Sequence, residues 1–227
     1  MLRNSRHELW TSRLALSACA SISLGATAQW STFDLQSSDS LYSQAWGGNG
    51  SLQGGQARVV GDQQHACLWR GSSSTWLDIN PPGANLSYAE GVGGEILVGQ
   101  AWIASVPTAG MWYPPNQTWI SLSPPSALSG EATDTDGLQQ VGAIYTGSEG
   151  HASLWSGTAA SWVDIHPAGA SSSWAKGVDQ GVQVGYAVFA GRTHAGIWSG
   201  SHSSFIDLHP PNALTSQLRG ISGTTQV

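Results

Sequence analysis

Ser173-Trp-Ala-Lys-Gly-Val178, Val182-Gln-Val-Gly-Tyr-Ala-Val188, His194-Ala-Gly-Ile-Trp198 and Ser204-Phe-Ile-Asp-Leu208 are four consecutive short runs rich in β-branched and aromatic residues. Gly and Ser bound them, and none is long enough, or apolar at the right period, to be a helix. The tryptophan that closes the third run recurs as Trp69, Trp112, Trp155 and Trp198, at a constant step of 43 residues. A constant step of that length means one supersecondary unit repeated and stacked, so most recurring residues exist to hold units together.

Other positions keep the same step. Gly99, Gly142 and Gly185 recur, as do Trp76, Trp119, Trp162 and then Phe205, and Asp78, Asp164 and Asp207 with Ser121 in the second copy. An earlier copy stands one residue further out, with Asp34 before Asp78 and Gly55 before Gly99. The first two runs of each unit are joined by Asn49-Gly50, Gly93-Gly94, Asp136-Gly137 and Ser222-Gly223, with Asp179-Gln180-Gly181 in the fourth unit. Such residues supply the positive φ angles of tight hairpins. Pro81-Pro82, Pro124-Pro125, Pro167 and Pro210-Pro211 lie between units, where a residue without an amide proton belongs to a connection rather than a ladder.

Four antiparallel strands in roughly 40 to 50 residues is the size of one β-propeller blade. A β-helix coil is shorter and lacks the hairpin signals, and an up-and-down barrel needs no strict repeat. The expected fold is therefore an all-β propeller over residues 29–227, with units at about 40–79, 86–122, 129–165 and 172–208 and a partial unit at 215–227. Trp30–Leu35 reads as an isolated last-type strand. The chain stops at Val227 inside the second strand of its last unit, which suggests a truncated chain or a blade short of a strand. Each repeated Trp, if buried, removes about 150–250 Å² from water, or about 4–6 kcal/mol before entropy is counted, so stacking alone accounts for these residues.

His65-Ala-Cys-Leu-Trp69, His151-Ala-Ser-Leu-Trp155 and His194-Ala-Gly-Ile-Trp198 resemble the extracellular repeats named for a His-Ala-Phe triplet. Each is followed by an aspartate-bearing strand. No copy here has the Phe, and the second copy reads Thr108-Ala-Gly-Met-Trp112. The resemblance implies an exported, propeller-like repeat domain and no particular activity.

Arg3, Arg6 and Arg13 precede an apolar run from Leu14 to Gly25, with small residues Ala26-Thr-Ala28 before Gln29. Residues 1–28 therefore read as a cleaved signal peptide, and the mature protein as secreted or extracytoplasmic. Lipid anchoring through Cys19 is disfavoured, because Arg13 leaves too short an apolar lead before it. No other segment approaches a membrane span. Removing residues 1–28 leaves 5 basic against 13 acidic residues, a formal charge of −8, which argues against nucleic acid as a partner. Cys67 then stands alone and reads as a small buried strand residue.

No catalytic, cofactor or metal site is legible. His65, His151 and His194 share one repeat position and His166 and His209 another, and equivalent places in a ring of blades do not converge as metal ligands must. A strand-start His bonded within its blade is the favoured reading, with the recurring Asp bonded to nearby backbone. Asp134-Thr-Asp136-Gly137 looks like the opening of a calcium loop, but its twelfth position is Tyr145, so turn chemistry is preferred. Nucleophile elbows, zinc-protease helices and phosphate loops are missing.

Variation among copies is more informative. On the first strand a small set (Ser43/Ala45, Ser87/Ala89, Gly130/Ala132, Ser173/Ala175) alternates with a variable one (Gln44/Trp46, Tyr88/Glu90, Glu131/Thr133, Trp174/Lys176, Gln217/Arg219), and alternation puts the two on opposite faces. Asp62, Trp102, Glu149 and Arg192 are assigned to the variable link between second and third strands, on the rim that also carries the Pro-rich connections. The candidate ligand face is accordingly Tyr88, Glu90, Trp102, Glu149, Trp174 and Arg192. The function expected is a non-catalytic binding or scaffold module for protein or glycan. The alternative is a polysaccharide hydrolase or lyase drawing its acid and base from Glu90, Glu131 and Glu149.

Overall fold

The structure is a computed structural model that describes residues 32, 34–114 and 117–227. The signal peptide read at residues 1–28, with Cys19, lies outside the described residues. Four four-stranded antiparallel sheets follow one another, each in simple sequential order. Unit one comprises β1 (Tyr42–Gly48), β2 (Gln53–Arg58), β3 (Gln64–Trp69) and β4 (Leu77–Asp78). Unit two comprises β5 (Ala84–Gly93), β6 (Ile96–Ile103), β7 (Val106–Tyr113) and β8 (Thr118–Ser121). Unit three is β9 (Ser129–Thr135), β10 (Gln140–Tyr145), β11 (Gly150–Trp155) and β12 (Val163–Asp164); unit four is β13 (Ser172–Asp179), β14 (Val182–Phe189), β15 (Arg192–Trp198) and β16 (Ile206–Asp207). A last hairpin pairs β17 (Ile221–Ser222) with β18 (Thr225–Gln226). These are propeller blades.

Stacking uses the repeated residues. Trp112 is fully buried and belongs to a cluster with Leu52, Ala66, Leu68 and Ile79 of the preceding blade. Trp155 does the same against Val98, Ala109, Met111 and Leu122, and Trp198 against Val141, Ala152, Leu154 and Ile165. A second stitch is polar. The amide of the third-strand alanine (Ala66, Ala152, Ala195) donates to the hydroxyl of a serine at the first-strand repeat position of the next unit (Ser87, Ser173, Ser216) at 2.9 Å each. In unit two that serine is Gly130, and Ser123 on the connection takes the Ala109 amide instead, at 3.0 Å.

The histidine and aspartate repeats hold the outer edges of blades one, three and four. His65, His151 and His194 bond through Nδ1 to Asp78, Asp164 and Asp207 at 2.7, 2.9 and 2.7 Å. The other oxygen of each aspartate accepts the backbone N–H two residues on, at Asn80, His166 and His209. Cys67 is fully buried, and burial pushes its thiol up to about 12, so it is an unreactive core residue. Asp136 caps its turn by accepting from the amides of Leu138 and Gln139.

Several local expectations are corrected. Trp30, Ser31 and Phe33 lie outside the described residues, and Asp34–Leu35 is irregular rather than a strand. Even so, Asp34 accepts the Gln36 amide at 2.8 Å, and Leu35 packs against the Trp69 cluster as Ile79 packs with Trp112. The last strand of units one, three and four is only two residues long, because a 3₁₀ turn (Ser73–Thr75, Ala159–Ser161, His202–Ser204) occupies its expected start. Residues 215–220 are not a strand either: Ser216 and Leu218 bond back to the Thr193 and Gly185 carbonyls of unit four. Among the turn dipeptides only the second position takes positive φ, at Gly50, Gly94, Gly137 and Gly223, and Gln180 adopts it (φ 50°) in unit four.

Candidate functional site

Every first strand carries a β-bulge at the same place. The register of β1, β5, β9 and β13 against its neighbour slips at Trp46, Glu90, Thr133 and Lys176. A bulge leaves one residue unpaired and re-aims its side chain. The repeated second-strand glycine makes room for it. A Cβ at Gly55, Gly99, Gly142 or Gly185 would collide with the carbonyl of Gln44, Tyr88, Glu131 or Trp174, two residues before each bulge.

The result is convergence. Trp46, Glu90, Thr133, Lys176 and Arg219, one residue from each of five units, line a single space of about 330 Å³. A second space of the same volume shares these five and continues along Gly47-Gly48, Gly91-Val92, Asp134 and Gly220-Ile221. Units one and five thus face one cavity, so the array curls around an axis through it. Adjacent inner strands approach closely along this axis. A Cβ at Gly47 would press on the Glu90 carbonyl at 2.7 Å, and one at Gly91 on the Asp134 Cα at 2.7 Å. Asp134 itself accepts the Val178 amide of the next blade at 3.0 Å.

The lining is chemically mixed. Lys176 Nζ lies 3.3 Å from Glu131 Oε1, and both side chains are about a quarter exposed. Burial pushes the Glu90 carboxyl up to about 7; the nearby Glu131 charge adds to this, while Lys176 and a 3.5 Å bond from Gln100 oppose it. Burial also raises Asp134 to about 6 against the pull of the Val178 and Thr135 amides. Thr133 donates to the Ala175 carbonyl at 2.8 Å, which fixes the bulge of unit three against unit four. Arg219 is exposed and bonds to Gln217 Oε1 at 3.2 Å.

Above this ring the variable residues two positions earlier form aromatic walls. Tyr88 packs on Trp46 (centroids 5.8 Å) and edge-on against Trp102 (5.6 Å), and its hydroxyl donates to Gln64 at 2.7 Å. Trp174 stacks on Tyr186 at 5.2 Å and donates to the Tyr145 hydroxyl at 3.2 Å.

No family model matches the chain, and no curated protein matches it in sequence. Among solved structures it is similar to a putative TolB from Agrobacterium tumefaciens, with a TM-score of 0.57 and 13% identity over 70% of this chain and 61% of that one. It is also similar to TolB from Acinetobacter baumannii, with a TM-score of 0.55 and 15% identity over 75% of this chain and 44% of that one. The likeness is one of fold. It is a β-propeller fold, and this chain spans less than two thirds of the length of either neighbour.

Of the six residues expected on the ligand face, Glu90 lines the axial space, and Tyr88, Trp102 and Trp174 form the walls beside it. Glu149 and Arg192 are exposed and do not line it. Trp102 and Arg192 are not link residues, since they sit inside β6 and β15. Those hairpins close in two residues, Ala104-Ser105 (φ 49° and 67°) and Ala190-Gly191 (φ 48° and 77°), and so the strands run longer. Lys176, Thr133, Trp46 and Arg219 belong to the variable set but were not singled out as candidates. For the first three, the glycine kept opposite them (Gly185, Gly142 and Gly55) was the available signal of a bulge.

Proposed function

We propose that this chain is an exported, non-catalytic propeller module that binds a protein or glycan at the axial space. One observation carries the reading: the four bulge residues, which change character from copy to copy, meet at one point with Arg219 of the last unit. Stacking needs uniform residues, whereas this ring holds an indole, a carboxyl, two cations and a hydroxyl. A half-buried carboxyl raised to about 7 also costs stability, which packing would not select. Export rests on the signal-like residues 1–28 and on the resemblance to the His-Ala-Phe repeats, and the charge of −8 disfavours nucleic acid.

A hydrolase or lyase is the second reading. Glu90, held protonated toward neutral pH beside the ion-paired Glu131, has the form of an acid with a second carboxyl near it. Glycan-array binding and polysaccharide turnover, measured on the same purified protein, separate the two. Saturable binding without turnover, lost in Trp46→Ala, supports the module. Turnover abolished by Glu90→Gln or Glu131→Gln supports the enzyme, and binding unaffected by Trp46→Ala removes the axial site.

A further inference from the structure

We infer that the axial space receives a sugar residue bearing a carboxylate, presented by an acidic glycan; this rests on the axial binding reading above.

The placement of positive charge is the first support. After residue 28 the chain has five Lys and Arg, namely Arg58, Arg70, Lys176, Arg192 and Arg219. Arg58 is held by Asp62, and Arg70 reaches Glu95 at 3.7 Å. Lys176 and Arg219 both line the axial space, so an acidic protein gathers two of its five cations at one spot. Among the described residues Arg219 has no carboxylate partner. Its planar guanidinium therefore keeps donors free for a bidentate carboxylate, and Lys176 keeps donors beyond the one given to Glu131.

The second support is the apolar surface. Trp46 is 47% exposed although Tyr88 packs against it, so much of its indole is open at the axis. A large aromatic left open beside polar groups suits the C–H face of a sugar ring, with hydroxyls turned to hydrogen-bonding side chains. Thr133 and Glu90, with Gln100 behind it, supply those side chains. The volume agrees. Two contiguous spaces of about 330 Å³ match one or a few sugar rings rather than a protein surface. Glu90, with its carboxyl raised to about 7, can donate an O–H to the ligand below neutral pH without repelling its charge.

Calorimetric titration of the purified full-length protein at pH 6 tests this. The probes are galacturonate-, glucuronate- and mannuronate-based oligosaccharides, their methyl esters, neutral glucose oligomers of equal length and a polyglutamate peptide. At least one uronate series should bind saturably. Esterification should weaken it about tenfold or more, as should Arg219→Gln with an unchanged melting temperature, while Arg192→Gln binds as wild type. Arg219→Lys should recover only part of the loss, because the fork is gone. Equal binding of ester or neutral oligomer, lost in Trp46→Ala, would overturn carboxylate recognition and leave the axial glycan site standing. Equal binding of polyglutamate would overturn the sugar, and no binding by any uronate series would overturn the inference itself. Absence of any glycan or protein ligand in the wider screen would remove the binding reading too.

Discussion

Glu90→Gln should make this protein more stable, and only above a definite pH. The carboxyl goes from an ordinary 4.5 to about 7 on folding, chiefly because the bulge carries it into a poorly hydrated space beside Glu131. A carboxylic acid with a raised folded-state pKa favours the folded state when protonated. Its penalty is absent below 4.5, grows as pH rises to about 7, and is constant beyond. At full ionisation the cost is about 3 kcal/mol, an upper figure because water reaches part of the side chain. The amide keeps the Gln100 contact and removes the charge. Urea denaturation of wild type and Glu90→Gln at pH 4.5, 6 and 8.5 reads the difference directly, and taking the difference cancels the titrating groups that do not interact with Glu90. The variant should match wild type at pH 4.5 and exceed it by about 1–3 kcal/mol at pH 8.5. A variant weaker than wild type at pH 8.5, or a gap independent of pH, would refute the reasoning.

Other perturbations have comparably definite outcomes. Trp155→Ala empties a fully buried site between blades two and three and should cost about 3–5 kcal/mol in a denaturant melt, whereas Trp174→Ala, a partly exposed wall residue, should cost about 1–2. Gly99→Ala would drive a methyl into the Tyr88 carbonyl and should lower stability by about 3 kcal/mol or more, as would the same change at Gly142 or Gly185. His166 donates through Nε2 to the Ala170 carbonyl, and its neutral ring accepts at Nδ1 from Ser173; burial and the stacked His151 (3.9 Å) lower its pKa. Its stability contribution is full above 6.5 and is lost as pH falls toward its lower folded value. His166→Asn should blunt that acid loss in melts between pH 7.5 and 5.5, because Asn80 already makes the same two bonds in unit one, to Ser87 and Ala84.

The repeat was legible because stacking imposes the same demand on every blade. The tryptophan step and the proline connections follow from it, and Asp34 and Leu35 keep their repeat roles even outside a strand; the His–Asp pairing across the outer strands was not foreseen. The alternation of small and variable residues on the first strand separated Glu90, Tyr88 and Trp174 from the small packing residues, but the reading put them on a rim, whereas Glu90 lines the axial space with Tyr88 and Trp174 beside it. What alternation cannot express is a bulge, since the extra residue leaves the pattern of side-chain types unchanged while turning one side chain inward. Trp46, Thr133 and Lys176 were therefore not distinguished from their neighbours, and Arg219 reaches the same space from a segment that is not a strand. Glu149 and Arg192 were chosen because loops vary. The two-residue turns at Ala104-Ser105 and Ala190-Gly191 use Ala and Ser at positive φ, which no composition rule signals.

An axial site built from both ends of the array is tested most directly by titrating one ligand, taken from the glycan or protein screens, into four single variants. Trp46→Ala in unit one and Arg219→Ala in unit five should each weaken binding about tenfold or more with melting temperatures unchanged. Glu149→Ala and Arg192→Ala, on the periphery, should bind as wild type. Full affinity in Trp46→Ala and Arg219→Ala, with loss in either peripheral variant, would contradict the convergence of the five units on a common site.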